Sequence, residues 1–314
     1  MNTKVVYTIV SSSSDFYLEQ ALLSVHSLRM YNPEAVVELV VDESTAATIE
    51  GKRAKIREYV NKIHVVETPE GLNSVHRSRF LKTNLREFVQ GDYLFIDCDT
   101  VICDSLAGID KVDAEIAMVA DLNGELLLQD YNTIEKYKTA GFGDATGLPY
   151  FNSGVIYAKD TPDVHLFYKK WHTNWKESII RGVHYDQPAL CATNVASGKM
   201  IHELDGIWNC QFKFGGYRIL NQAKILHYLG WNMAELHHFH HNYIFVRIKD
   251  NGYIDKTIEG VLCNAKTVFY TAMTVDADRA SDYYFSELLY WYVNRPSLMR
   301  YVLKVIRSLS KIIY

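Results

Sequence analysis

Of the signals that would place this 314-residue chain at once, most are missing, and each absence narrows what it can be. No stretch approaches the about 18 to 20 consecutive apolar residues that a membrane span requires, so a bilayer-crossing protein is not expected. There is no surplus of charge of one sign. Lys plus Arg number 33 against 37 Asp plus Glu, a net charge of −4, so no global field points to nucleic acid as a partner. Cysteine is sparse, five in all, scattered and without a Cys-x-x-Cys pair, which argues against a disulfide framework or a cysteine zinc site. With no basic, apolar leader at the N-terminus, the expectation is a reduced, cytoplasmic chain with free thiols. Internal repeats and low-complexity linkers are also lacking. What remains is an ordinary globular composition, 48% hydrophobic and 22% charged, long enough for a large core.

The patterning is that of an α/β protein. Val5 to Val10 is β-branched and ends in Ser11-Ser12-Ser13-Ser14-Asp15, a strand followed by residues suited to capping a helix. Leu18, Leu22, Val25 and Leu28 then recur at helical spacing until Asn32-Pro33. An apolar run from Ala35 to Val41, a helical stretch from Thr45 to Tyr59 and a strand from Lys62 to Val66 complete a βαβαβ order. A helix carrying Leu81, Leu85 and Phe88 leads to the apolar run Tyr93-Leu94-Phe95-Ile96. Such alternation predicts a mostly parallel sheet flanked by helices, with ligands beyond the carboxyl ends of its strands. Further on, Glu115 to Ala120 and Gly154 to Ala158 read as strands and Val164 to Ile180 as a helix. Asp121 to Pro149 reads as loop and helix, and Tyr243 to Ile254 as a hairpin turning at Asp250-Asn251-Gly252.

Chemistry concentrates after Ile96, in Asp97-Cys98-Asp99-Thr100. On a continuing strand, Asp97 and Asp99 would face the same way, roughly 6.5–7 Å apart. Aligned carboxylates repel unless a cation lies between them, and hard oxygen ligands favour Mg²⁺ or Mn²⁺ and, with them, a diphosphate. An isolated pair fits a strand running into an acidic turn equally well. Four other pieces are compatible with a metal-diphosphate site. His227, followed by Gly230, closes another apolar run and offers a nitrogen ligand. Asn152-Ser153-Gly154 precedes a strand and reads as a turn with an amide, a hydroxyl and room for close approach. Asp186-Gln187-Pro188 reads as a helix start with Asp186 as its cap. Arg79 and Lys82 lie one helical turn apart, either solvated or within reach of a phosphate.

In order and spacing these pieces resemble the GT-A glycosyltransferases of the retaining family that includes glycogenin and bacterial lipopolysaccharide galactosyl- and glucosyltransferases. The resemblance covers Val5 to about Gly230. It implies a GT-A catalytic domain over residues 1–270, a nucleotide-binding half to about 110 and a sugar and acceptor half beyond, with a helical extension over 271–314. It also implies Mn²⁺ or Mg²⁺ on Asp97, Asp99 and His227, with a UDP-sugar as donor. Ser11, Ser13, Ser14 and Tyr17 would hold the uridine. Arg79, Lys82, Cys98, Asp121, Ser153 and Gly230 would contact the rest of the donor, and Asn152, Asp186 and Gln187 would act at the sugar. The chain departs from the family's ending, His-x-x-Gly-x-x-Lys-Pro-Trp, because Trp231-Asn232-Met233-Ala234-Glu235 follows Gly230 and the lysine is missing. Lys224, Lys82 and Arg79 are the cations left to compensate.

Two other functions compete. Asp97-Cys98-Asp99-Thr100-Val101 also fits the nucleophile motif of haloacid-dehalogenase phosphohydrolases, although three strands precede it and no acidic pair follows. A catalytically silent carbohydrate-binding or scaffold protein could keep the same fold. The tail is distinctive in itself. Arg300, Lys304, Arg307 and Lys311 form one stripe of a helix, opposite Val302, Val305, Ile306, Leu309 and Ile313, with no acidic residue after Glu287. It fits either an anionic membrane surface or docking on the catalytic domain. The first would put the enzyme on the inner face of the plasma membrane, beside a lipid-linked acceptor; the second leaves a soluble saccharide acceptor equally open.

Overall fold

In the computed structural model, which describes residues 1–211, 214–228, 241–266 and isolated positions between 295 and 305, the first third of the chain alternates strand and helix. Strand β1 (Lys4–Ile9) leads through the serine loop to α1 (Tyr17–Tyr31), which stops at Asn32, where Pro33 disfavours further helix. Then come β2 (Val37–Asp42), α2 (Glu43–Ala47) and β3 (Lys62–Val66). The single helix expected from Thr45 to Tyr59 is divided. Asp42 caps α2 through the Thr45 N–H, Gly51 sits at φ +52, and a 3-10 helix spans Gly51–Glu58. Helices α3 (Ser74–Thr83) and α4 (Leu85–Phe88) precede β4 (Tyr93–Ile96) and β5 (Thr100–Ile102).

The second part contributes β6 (Ile116–Ala120), α5 (Tyr131–Thr139), β7 (Phe151–Ala158), α6 (Pro162–Ile180), α7 (Gln187–Ala196) and β8 (Ile201–Glu203). After these come β9 (Cys210–Gln211), β10 (Ile225–His227), α8 (His241–Asn251) and α9 (Lys256–Cys263). Seven strands form one sheet in the order β3-β2-β1-β4-β7-β6-β8, while β5, β10 and β9 form a small second sheet. Strands β1 to β4 are mutually parallel and β7 alone runs against its neighbours. The chain leaves β1 toward β2 on one side and returns to β4 on the other, so a crevice opens between the carboxyl ends of β1 and β4.

Both faces of the sheet are buried. One packs on α1, the small sheet, α8 and α9, the other on α3, α6 and α7. Trp171 and Trp175 of α6 are almost fully enclosed, and truncating either to alanine costs about 3–5 kcal/mol by the usual cavity effect. The hairpin expected from Tyr243 to Ile254 is a correction. That segment lies mostly in α8, because Ile244, Phe245 and Ile248 bury one helical face and Gly252, at φ +79, ends the helix instead of turning a ribbon. Gly230, the boundary expected near residue 270, and most of the 271–314 extension, including Arg300, Arg307 and Lys311, lie outside the described residues. Among the described residues no helix is long and apolar enough to cross a membrane.

Candidate functional site

Strand registers bring the distant pieces together. Ile96 of β4 pairs with Val155 of β7, and one step further the Asp97 N–H donates to the Gly154 carbonyl at 2.8 Å. In the small sheet, His227 pairs with Thr100, and the Tyr228 N–H donates to the Asp99 carbonyl at 3.0 Å. Ligand atoms of Asp97, Asp99 and His227 thereby lie within 4.8 Å of one another. The two aspartates are not on a strand, as their spacing suggested. β4 ends at Ile96 and β5 begins at Thr100, so the residues between bend from one sheet into the other. His227 Nε2 is 3.2 Å from Asp99 Oδ1. Burial raises the Asp97 carboxyl above its ordinary value, with the neighbouring Asp99 adding to the rise and Lys82 opposing it.

The segment 152–154 is not a turn before a strand but the inside of β7, fully buried. Asn152 sits between two partners. Its Nδ2 donates to Asp121 Oδ1 and its Oδ1 accepts from Asn209 Nδ2, both at 2.9 Å. Asn209 Oδ1 in turn lies 2.9 Å from His227 Nδ1. Burial raises the Asp121 carboxyl, with the Asn152 and Gln187 side chains opposing the rise. Gly154 is required by this packing, since a Cβ there would stand 2.1 Å from the His227 ring.

Asp186 occupies the position before α7, but its side chain makes no cap hydrogen bond to the helix, which corrects the expected N-cap role. The carboxylate turns instead to accept from Ser153 Oγ at 2.7 Å and to pair with Arg79 at 3.0 Å and Lys82 at 3.8 Å. Burial pushes Asp186 upward, yet Lys82, Arg79 and the Ser153 hydroxyl outweigh it and hold the group below the ordinary carboxylate value. Lys82 is itself buried and donates to both Asp97 oxygens, at 3.0 and 3.1 Å. It joins the aspartate pair to the Asp186 cluster as the shared cation between carboxylates that would otherwise repel.

At the end of β1 the loop is tied locally. Asp15 accepts from the hydroxyls of Ser11 and Ser12 and from the N–H groups of Ser12 and Tyr17. Despite burial, these bonds lower its pKa. Ser13, Ser14 and Tyr17 are exposed at the crevice mouth, whereas Ser11 is buried. The Cys98 thiol points toward Gln20 of α1, 3.7 Å away, and burial followed by Asp99 and Asp97 keeps it far from ionising. Lys224 is engaged elsewhere, with Ser105 and Asp104 at the opposite end of β10 from His227, so it does not replace the missing lysine.

Several residues of the site have no sequence signal. Asn209, Gln211 and Arg53 lie in short or irregular segments without usable periodicity. Gln211 holds Ala120 O and Leu122 N, and Arg53 bonds Ser11 Oγ and the Ser12 carbonyl. Asn209 is 18 residues from His227 and precedes a strand of two residues, Cys210–Gln211, so no local pattern links the two.

A family model for glycosyl transferase family 8 matches residues 8–233. The chain belongs to that family. It is therefore a glycosyltransferase, and membership does not favour the phosphohydrolase reading of Asp97 or the silent one. Solved structures carry the same fold. The galactosyltransferase LgtC, in complex with donor and acceptor sugar analogues, is 16% identical, with a TM-score of 0.51 over 82% of this chain and 100% of its own. The apo bifunctional glycosyltransferase WbbM is 15% identical, with a TM-score of 0.54 over 82% of this chain and 51% of its own. No curated protein sequence matches. At these identities the likeness is one of fold, and it agrees with the mixed, largely parallel GT-A sheet described above.

Proposed function

We propose that this enzyme moves a hexose, glucose or galactose, from a UDP-sugar to a saccharide or lipid-linked acceptor, with retention at the anomeric carbon and dependence on Mn²⁺ or Mg²⁺. The observation that carries the reading is the convergence of Asp97, Asp99 and His227 at the carboxyl edge of the sheet, beside the β1 crevice. Two hard carboxylates and one imidazole nitrogen fit either ion, and the three side chains would hold it. When bound, the ion supplies Lewis-acid stabilisation of charge on the departing diphosphate without needing a proton. Ser11, Ser13, Ser14 and Tyr17 bind the uridine, with the exposed Tyr17 ring flanking the base. Cys98 and Gly230 complete the donor contacts, and Ser153 and Asp121 line its sugar.

Lys82 and Arg79 give the proposed diphosphate side fixed positive charge while holding Asp97 and Asp186 in place. Gln187 is an amide and a poor nucleophile, and the Asp186 carboxylate is already engaged by Arg79, Lys82 and Ser153, which favours same-face attack by the acceptor hydroxyl over a covalent intermediate. In this route the leaving diphosphate takes the acceptor proton, and Asp186, Gln187 and Asn152 orient the sugar. We assign catalysis to residues 1–270, and the basic tail over 271–314 either to an anionic membrane surface or to docking on the catalytic domain. The test is incubation with UDP-glucose and UDP-galactose, with and without Mn²⁺, followed by UDP release and the anomeric configuration of the product. UDP release that ignores Mn²⁺, or an inverted product, would sink the proposal.

A further inference from the structure

The orientation of the buried amides beside His227 follows from a group whose hydrogen position is not in question. The Gly154 backbone N–H can only donate, so the Asn152 atom it meets at 2.9 Å is the amide oxygen. That leaves Asn152 Nδ2 for Asp121 Oδ1, as the 2.9 Å contact requires. Asn152 Oδ1 also faces the Asn209 amide at 2.9 Å, and an oxygen there must receive a hydrogen, so Asn209 presents its nitrogen. Asn209 Oδ1 is then the atom 2.9 Å from His227 Nδ1. An amide oxygen only accepts. The ring hydrogen therefore belongs on Nδ1, which leaves Nε2, the atom that lies 3.2 Å from Asp99, as the nitrogen that can bind a metal when it carries no proton.

Resting on the metal-site reading above, we infer that Asn209 is a positioning residue that fixes the tautomer and angle of His227, so that Nε2 is offered as a ligand. The imidazole lies close against Gly154, and Asn209 is completely buried, so water cannot take the place of its amide. Reversing that amide would set donor against donor at His227 and acceptor against acceptor at Asn152. The far end of the relay is anchored by the Asp121 carboxylate. One fully buried amide thus ties the third proposed ligand to the residues beside the proposed sugar.

The first arm of the test needs no metal. Nitrogen NMR of the metal-free protein, with the His227 signals assigned by their loss in His227→Gln, should show the hydrogen on Nδ1. A ring whose Nδ1 carries no hydrogen overturns the inference whatever the metal does. The second arm measures Mn²⁺ affinity by electron paramagnetic resonance in the wild type, Asn209→Leu and Asn209→Asp. Leucine removes the acceptor and should weaken binding about 10- to 100-fold, as loss of a partner behind a ligating histidine typically does. Aspartate still accepts from Nδ1, although its other oxygen then faces Asn152 Oδ1, so it should keep the tautomer and bind Mn²⁺ more tightly than Asn209→Leu. Equal affinity in wild type and a folded Asn209→Leu, or a lost tautomer in Asn209→Asp, overturns the assignment. Should Asn209→Leu fail to fold, the wild type and Asn209→Asp still decide it. No saturable Mn²⁺ binding by the wild type would remove the metal reading, while the tautomer result would still stand or fall by itself.

Discussion

The serine loop after β1 is shaped by local contacts, Asp15 accepting from Ser11, Ser12 and Tyr17, with Thr45, Arg53 and Lys249 bonding its two ends, and most of it faces solvent. On the other side of the crevice, Asn152, Asn209 and His227 meet across 57 and 18 residues and are buried. Their difference separates two ways of building a binding surface. A short exposed loop is defined by local hydrogen bonds that water can replace, so single substitutions there are mild. A buried network is defined by strand register, and removing one member strands its partners without water.

The contrast predicts a graded series. Asp97→Asn combined with Asp99→Asn should cut Mn²⁺-dependent UDP release by about a hundred- to a thousandfold, the scale for losing charge stabilisation at a leaving group. A tenfold loss or less would mean that the aspartate pair is not the centre of the site. Next, Lys82→Met should lower stability by about 3 kcal/mol in urea unfolding, because Asp97 and Asp186 lose their shared buried cation. A stability change near zero would show that Arg79 alone compensates Asp186.

The third comparison uses pH. His172 of α6 lies against Thr83 of α3, and burial, followed by Lys176, pushes its pKa from 6.5 down to about 4. The unfolded chain takes up the proton first on acidification. The stabilisation is complete above pH 6.5 and is lost as pH falls toward about 4. Between neutral pH and pH about 4.5 the wild type should lose on the order of 2 kcal/mol more than His172→Gln. Parallel pH profiles in urea would refute this. Smallest of all, Ser12→Ala or Ser14→Ala should change stability by less than about 0.5 kcal/mol, as expected for an exposed loop. A drop of several degrees in Tm would place that loop with the buried network instead.

Much of the first third of the chain is legible in the sequence itself, because β1, α1, β2 and β3 are local elements whose periodicity lies within a few residues. The expected helix from Thr45 to Tyr59 was misplaced only by a glycine that forces a break. Failures fall where burial overrides a local signal. Asp250-Asn251-Gly252 looks like a hairpin turn, but the apolar face of Ile244, Phe245 and Ile248 has a core to pack on, so the segment becomes helix. Asp186 stands where a cap belongs, yet two nearby cations and a serine hydroxyl bind its carboxylate more strongly than the helix end does.

By itself the sequence determined the residue types and the order of the elements: alternating strands and helices, two aspartates after one apolar run and a histidine after another. Those choices follow from short-range sterics, hydrophobic period and the chemistry of carboxylates and imidazole. Tertiary structure decided which atoms meet. The pairing of β4 with β7 and of β5 with β10 draws Asp97, Asp99 and His227 within 4.8 Å and puts Asn209 behind the imidazole. Register is a property of two strands that may be far apart in the chain, and a shift of one residue turns every side chain to the other face. No single segment carries that information, and only the assembled sheets do.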